Sequence, residues 1–356
     1  MDFDLSEEQR LMRESAAKFA TQQSGMQGWQ ALGEAGFLAL GLPEDYGGFG
    51  GPVEIALVAE EFGRHLLKQP FAGTGIFAGQ LMARAGTIAQ RDRLLALMAT
   101  GAILGAVAST DAEGEAVVAR RDADGFILSG RKLMVLGGTQ ADLFIVSARE
   151  DGSGRRLFFT VDRDGPGVNV IPTPMVDGSS CADLKLDAVS VGPDALMAAD
   201  GDAAFDEALR YAMVCVCAEM VGMAEAATAA SIDYLKNRQQ FGTTLSSFQV
   251  LRHRIADMAM DCQMARSALH KLLASFEDGL SHDPAMATAL AKAMIEEIGV
   301  RVTSEAIQLH GAMGMTEECG VGQFYRRAIL IQSLFGSAMT HLEHYSAALA
   351  ERVSAV

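Results

Sequence analysis

The chain has 356 residues, 49% of them hydrophobic, enough for two or three domains around a large buried core. Its formal net charge of −16 argues against nucleic acid, whose phosphates demand a basic face, and against an anionic membrane surface. The cysteines Cys181, Cys215, Cys217, Cys262 and Cys319 are scattered, odd in number and without a C-x-x-C pair. Reduced thiols in a cytosol fit them better than zinc or redox work.

The acidic, polar start MDFDLSEEQR does not read as a signal peptide. Residues 1–101 read as a helical domain. DLSEEQRLMRESAAKFA places Leu5, Leu11, Met12, Ser15 and Phe19 near one face, with Ser6 as N-cap and acids in the first turn. LPEDYGGFGG is a Pro/Gly loop, and Pro52 opens the helix that follows it.

Residues 102–202 change character. Short runs rich in Val, Ile, Leu and Phe, such as GFILSG, KLMVLGG, DLFIVSAR and RLFFTVDR, are separated by turn residues that include Asp124-Gly125. They predict a small antiparallel β-domain, closed like a barrel or sandwiched.

Residues 203–356 return to helix and read as a four-helix bundle. YAMVCVCAEMVGMAEAATAA carries Glu219 and Glu225, which fits a buried helix better than a membrane span. Phe248, Leu251, Ile255, Met258, Cys262, Ala265, Leu269, Leu272 and Phe276 form a bundle seam. Asp283-Pro284 is an N-cap with proline at N1, and a stripe from Leu290 through Met294, Ile298, Val302, Ala306 and Leu309 runs to Gly311. The fold class is therefore α+β and multidomain: helices, a β-domain, then the bundle.

Two stretches carry chemistry. In YLKNRQQFGTTLSSFQ, Arg238 and Phe241 lie three apart at a helix end marked by Gly242. A guanidinium suits a pyrophosphate and a neighbouring ring suits an adenine face; the same pair also reads as an exposed arginine beside a core phenylalanine. In QLHGAMGM, Gln308 can donate and accept hydrogen bonds, and Gly311 and Gly314 let backbone amides approach a ligand. A helix C-cap followed by a loop is the other reading of that stretch.

Taken with the domain order, these stretches resemble the acyl-CoA dehydrogenase family over nearly the whole chain. WQALGEAGFLALGLPEDYGG, GFILSGRKLMVLGG, YLKNRQQFG and AIQLHGAMGMTEE carry the resemblance. It implies an FAD enzyme that oxidises the Cα–Cβ bond of an acyl-CoA thioester, with a glutamate taking the α-proton and a hydride going to the flavin. It also implies that electrons pass to an electron-transfer flavoprotein. The resemblance assigns Arg238, Phe241, Gln249, Gln308, Gly311 and Gly314 to the ADP half of a neighbouring subunit's FAD; Ala312 stands where the family has a further glycine.

Elsewhere the family pattern fails. RRAILIQSLFGS has Phe335 before Gly336-Ser337, where the resemblance expects the glutamate, and a phenyl ring accepts no proton. The alternative position on an earlier helix falls near Ala212, with Glu207 and Glu219 as the nearest carboxylates. The flavin-ring loop is shortened to ASTDAEGEA, and Met134 and Leu136 replace a tryptophan and a hydroxyl residue. Keeping one half of a composite site and losing the other implies a heteromer. A homologous partner would supply the base, as in the paired acyl-CoA dehydrogenases of bacterial steroid and side-chain catabolism, and the setting would be the cytoplasm. The rivals are a homo-oligomer with its base relocated to Glu219, Glu207 or Asp206; a scaffold without catalysis; a metal site built on His341 and His344, where a solvated helix face is the simpler reading; and a cysteine nucleophile at Cys215 or Cys217. The acyl group stays open.

Overall fold

The computed structural model describes residues 5–22, 28–198, 201–277 and 283–354; the first four residues of the acidic N-terminus lie outside them. In chain order the helices are α1 (Glu7–Gln22), α2 (Gly28–Glu34), α3 (Pro52–Arg64), α4 (Gly79–Ala85) and α5 (Ile88–Ala99). The strands β1 (Gly105–Ala108), β2 (Thr110–Asp111), β3 (Val118–Asp122), β4 (Gly125–Leu136), β5 (Leu143–Glu150), β6 (Arg156–Asp162), β7 (Val168–Pro174) and β8 (Ser180–Val191) follow. Then come α6 (Gly201–Asn237), the short strands β9 (Gln239–Gln240) and β10 (Thr243–Thr244), α7 (Gln249–Ala274), α8 (Pro284–His310), α9 (Val321–Ser333) and α10 (Ala338–Ser354). The chain divides into two compact units. One gathers the described parts of Met1–Ser24, Pro52–Leu67 and Met213–Val356; the other gathers those of Gly25–Gly51 and Lys68–Ala212.

In the first unit α1 starts with a capping box: Ser6 Oγ accepts the Gln9 N–H at 3.2 Å and Gln9 Oε1 accepts the Ser6 N–H at 3.1 Å. Its packed face runs through Met12, Ala16, Phe19 and Ala20. Leu11 and Ser15 were expected there but point outward, with Leu11 59% exposed, because the buried stripe turns about one residue away from them. Helices α3 and α6 meet backbone to backbone: a Cβ on Gly63 would lie 2.1 Å from the Glu219 carbonyl oxygen, and one on Gly222 would lie 2.0 Å from that of Glu60. Around this contact Arg13, Arg64 and Arg266 bind the carboxylates of Glu60, Glu61 and Glu225. Among the described residues α6 is the one helix long and apolar enough to cross a membrane, and 83% of its apolar window is buried. Helix α8 begins as expected, with the Asp283 carboxylate accepting the Ala285 and Met286 N–H groups and Pro284 in the first turn. It is buried on most of its circumference, including Lys292 and Glu296.

In the second unit the strands form one sheet, ordered β1-β5-β3-β4-β8-β7, with β2 on β4 and β6 on β5. Most ladders are antiparallel, while β1–β5 and β3–β5 run parallel. Such pairs join strands distant in sequence, so local alternation does not announce them. GFILSG and KLMVLGG are one twelve-residue strand, β4, which pairs with β8 through register shifts at Leu128/Gly130 and Lys132/Val135. Asp122 pairs with Gly125, so Ala123-Asp124 is the hairpin loop. Gly125 itself has φ +146°, and a Cβ there would lie 2.2 Å from the Val191 carbonyl oxygen. The core beneath the sheet is built from Phe126, Leu128, Phe144, Val146, Phe159 and Leu184.

Candidate functional site

The six residues of the expected nucleotide clamp all lie in the first unit, where three helix ends converge. The Tyr234 ring stacks on His310 at 4.3 Å, joining the end of α6 to the end of α8. The Arg254 guanidinium pairs with Glu305, joining the start of α7 to α8. His310 is oriented by its Nδ1–H, which donates to the Ala306 carbonyl at 2.8 Å.

Arg238 and Phe241 do not share a helical face, as their spacing suggests. Helix α6 stops at Asn237, and the chain folds into the β9–β10 hairpin with Thr243 opposite Gln240. Phe241 (φ +57°) and Gly242 (φ +78°) form its two-residue tip. Positive φ at both tip residues is the twist that a tight hairpin wants, but it strains a phenylalanine by about 1–2 kcal/mol. Phe241 is nevertheless 89% exposed, touching Phe248 edge-on at 6.2 Å. The reading of it as core packing is therefore overturned: the ring is paid for in strain and not recovered in burial within this chain.

Arg238 is exposed, and among the described residues its guanidinium has no hydrogen-bond or ion-pair partner. Gln249 is the first residue of α7, and no side chain caps that helix at Phe248. Gln308 is exposed in the last turn of α8. Gly311 closes that helix at φ +61° with open space where a Cβ would stand. Gly314 is buried, and a Cβ there would lie 2.7 Å from the Ile307 carbonyl oxygen. One glycine thus leaves room toward solvent while the other permits close packing.

Phe335, at the expected base position, is half-buried with φ +60°. Of the other carboxylates, Glu219 is held by Arg327, whose Nε donates to Oε1 at 2.6 Å and whose Nη2 donates to Oε2 at 3.1 Å. Glu207 accepts from Arg210 at 2.7 Å, and Asp206 is exposed, 3.9 Å from Arg156. Burial pushes the thiol of Cys217 up to about 12 and, helped by the Glu219 charge, raises that of Cys215 as well. Neither is a thiolate nucleophile at neutral pH.

In the second unit the β4 positions that depart from the expected pattern are structurally committed. Met134 has φ +53°, its N–H donates to Asp183 Oδ1 at 3.3 Å, and the same carboxylate accepts from Arg131 at 2.7 Å. Leu136 packs so closely on the buried π-helical turn Phe71–Ala78 that a Cβ on Gly73 would lie 2.5 Å from its own Cβ. The buried Lys132 ammonium donates to Asp111 Oδ1 at 2.5 Å, Ser147 Oγ at 2.9 Å and the Ser109 carbonyl at 3.3 Å. The start of the ASTDAEGEA loop is thereby tied down from within. Lys132 and Asp183 escaped the sequence reading; a lysine directly before the apolar run Leu133–Leu136 was the available signal. The sequence reads His341 as part of a solvated helix face, and the structure corrects this. It is buried, not on a solvated face, and its Nε2–H donates to the Phe335 carbonyl at 3.1 Å; among the described residues no group of three metal-binding side chains occurs.

The comparisons with known proteins bear directly on this arrangement. Profiles of the acyl-CoA dehydrogenase N-terminal, middle and C-terminal domains match residues 6–102, 106–189 and 199–350. A probable acyl-CoA dehydrogenase of Bacillus subtilis, YngJ, is 31% identical over 366 residues, covering 93% of this chain and 95% of its own. Butyryl-CoA dehydrogenase from Megasphaera elsdenii superposes with a TM-score of 0.90 at 26% identity, over 98% of this chain and 100% of that one. A steroid acyl-CoA dehydrogenase, Tcur3481–Tcur3483, superposes with a TM-score of 0.86 at 29% identity, over 98% and 99%. The class is thus a flavin-dependent oxidoreductase with helical, half-barrel and helical domains. The chain belongs to the acyl-CoA dehydrogenase family, with FAD as its cofactor.

Proposed function

We propose that this chain is the base-lacking subunit of a heteromeric acyl-CoA dehydrogenase and contributes the half-site that grips the ADP portion of FAD. The observation that carries the reading is the pairing of an exposed, strained and unburied Phe241 with a non-ionisable Phe335 at the base position. FAD, when bound, supplies the hydride acceptor for oxidation of the Cα–Cβ bond of an acyl-CoA thioester.

The residues of this chain fit the nucleotide half of that cofactor. The Arg238 guanidinium is free to neutralise a pyrophosphate, and the Phe241 ring offers an adenine a face with little competing contact. Gln249 and Gln308 present amides at two helix ends, and the uncapped start of α7 adds N–H groups that favour an anion. Gly311 keeps backbone accessible beside them. The isoalloxazine half fits less well. Met134 gives no aromatic surface, and Leu136 gives no hydroxyl and is spent on packing against Gly73. A homologous partner with a glutamate at the position of Phe335 would take the α-proton, and electrons would leave for an electron-transfer flavoprotein. The steroid acyl-CoA dehydrogenase named for two proteins, Tcur3481 and Tcur3483, supports a paired assembly for this chain.

The test is co-expression with a base-containing homologue, followed by measurement of flavin per chain, mass and turnover. A yellow complex with half-stoichiometric FAD, emptied by Arg238→Ala, is expected. Turnover of an acyl-CoA by the purified chain alone would overturn the reading. So would turnover by Phe335→Glu without a partner.

A further inference from the structure

Beneath Phe335 lies a cluster of buried polar groups that the clamp does not use. Lys292 is 0% exposed, Glu296 1% and His341 4%. They come from two helices, α8 and α10, and meet at the connection between α9 and α10. Lys292 Nζ donates to the Ile331 carbonyl at 3.4 Å, one of the last carbonyls of α9, which also accepts the Leu334 N–H at 3.0 Å. Glu296 pairs with Lys292, and among the described residues its oxygens have no hydrogen-bond donor beyond that ammonium. One helical turn into α10, His341 Nε2 meets the Phe335 carbonyl at 3.1 Å. A carbonyl only accepts, so this nitrogen carries the proton.

A buried ion pair of this kind adds little net stability, because desolvation consumes most of the attraction. Its presence needs another reason, and the turn above it supplies one. Phe335 (φ +60°) and Gly336 (φ +101°) are both left-handed, and a Cβ on Gly336 would lie 3.0 Å from His341 Nε2. Ser337 then caps α10, its Oγ accepting the Thr340 N–H at 3.3 Å. The turn is held at the carbonyl before it by Lys292 and at its centre by His341.

We propose that His341 and Lys292 are positioning residues for position 335. They clamp the α9–α10 turn from below and fix the direction of the side chain there, whatever that side chain is. The chemical importance of the position rests on the reading above; the clamp rests only on the contacts just described. The chain has thus kept the seat of the base while replacing its occupant.

The test uses the full chain, without partner or flavin, so its outcome is independent of the half-site reading. Phe335→Cys places a thiol at the seat, and its rate of alkylation is read by peptide mass apart from the native cysteines. Added His341→Leu, which fills the space but cannot donate, is expected to raise that rate about tenfold, as the turn opens more often. His341→Gln, whose amide can donate, is expected to restore it to within about twofold. Equal rates for the Leu and Gln variants would overturn the proposal, since simple volume filling would then suffice. Should the Leu variant fail to fold, 15N spectra of histidine-labelled native protein decide. A slowly exchanging Nε2–H on His341 supports the clamp, and an unprotonated Nε2 at neutral pH refutes it.

Discussion

Arg327 and Glu219 form a two-bond ion pair, with side chains 16% and 10% exposed, between α9 and α6. Both carboxylate oxygens are occupied, so the nearest bundle acid is spoken for structurally. Removing one member leaves a largely buried charge uncompensated, so Arg327→Ala should cost about 3–5 kcal/mol, read from urea denaturation. Glu219→Gln should lower stability in the same assay and leave the turnover of a partnered complex intact in whatever fraction stays folded. Loss of turnover in a folded complex would instead mark Glu219 as the relocated base.

Phe241 offers an opposite sign for stability and ligand binding. Phe241→Asn suits the left-handed tip and should stabilise the isolated chain by about 0.5–1 kcal/mol. In a flavin-loaded complex the same change should lower FAD retention, measured by absorbance after gel filtration. A core phenylalanine would show the reverse pattern on stability.

The α3–α6 contact admits no side chain. Gly63→Ala and Gly222→Ala each drive a methyl to within 2.1 or 2.0 Å of a carbonyl oxygen, and backbone cannot rotate out of the way as a flexible side chain can. Each should destabilise by about 3 kcal/mol or more, detected as a large fall in melting temperature. Substituting Gly152, at an exposed turn with open space but φ +82°, should cost only the backbone strain of about 1–2 kcal/mol.

His341 also predicts an acid limb in stability. Burial first, and then the Lys292 charge, press its pKa from 6.5 down to about 4; the bonds to the Phe335 and Gly336 backbone oppose this and His344 adds to it. The folded state therefore holds a neutral imidazole where the unfolded chain binds a proton. This contribution is complete above pH 6.5 and is lost as pH falls toward 4. Denaturation midpoints measured across that window should fall less steeply for His341→Gln than for the parent.

Thiol reactivity should follow burial. Cys319 is half-buried, while Cys181, Cys215, Cys217 and Cys262 are buried. A native-state titration with an aromatic disulfide should modify Cys319 first, and Cys215 and Cys217 only after unfolding.

What was legible in the sequence was mostly local. The Asp283 cap, the Pro52 start, the α7 seam and the burial of α6 all follow from neighbours within one or two turns, which is where periodicity and capping chemistry act. The residues of the proposed clamp stand out only as motif members, and the hairpin that separates Phe241 from helix α6 was not legible: Gly242 signalled a helix end without saying which way the chain would turn. The parallel β-ladders, the Lys132 anchor and the bond from His341 to Phe335 depend on pairings far apart in the chain or across helix ends, and no spacing rule reaches them. His341 and His344 looked like one exposed pair. The fold places one in the interior and the other at the surface.

The left-handed tip of the β9–β10 hairpin bears on how quickly something can dock against it. Its shape is set when the chain folds, by Gly242 and by the Leu245 N–H bonded to the Arg238 carbonyl. Under the proposed adenine contact, a planar ring arriving at Phe241 meets a backbone that needs no ordering at the moment of encounter, leaving only the exposed side chain to be fixed. Capture at that corner is then governed by collision and orientation, and release by how well the ring is covered from the far side.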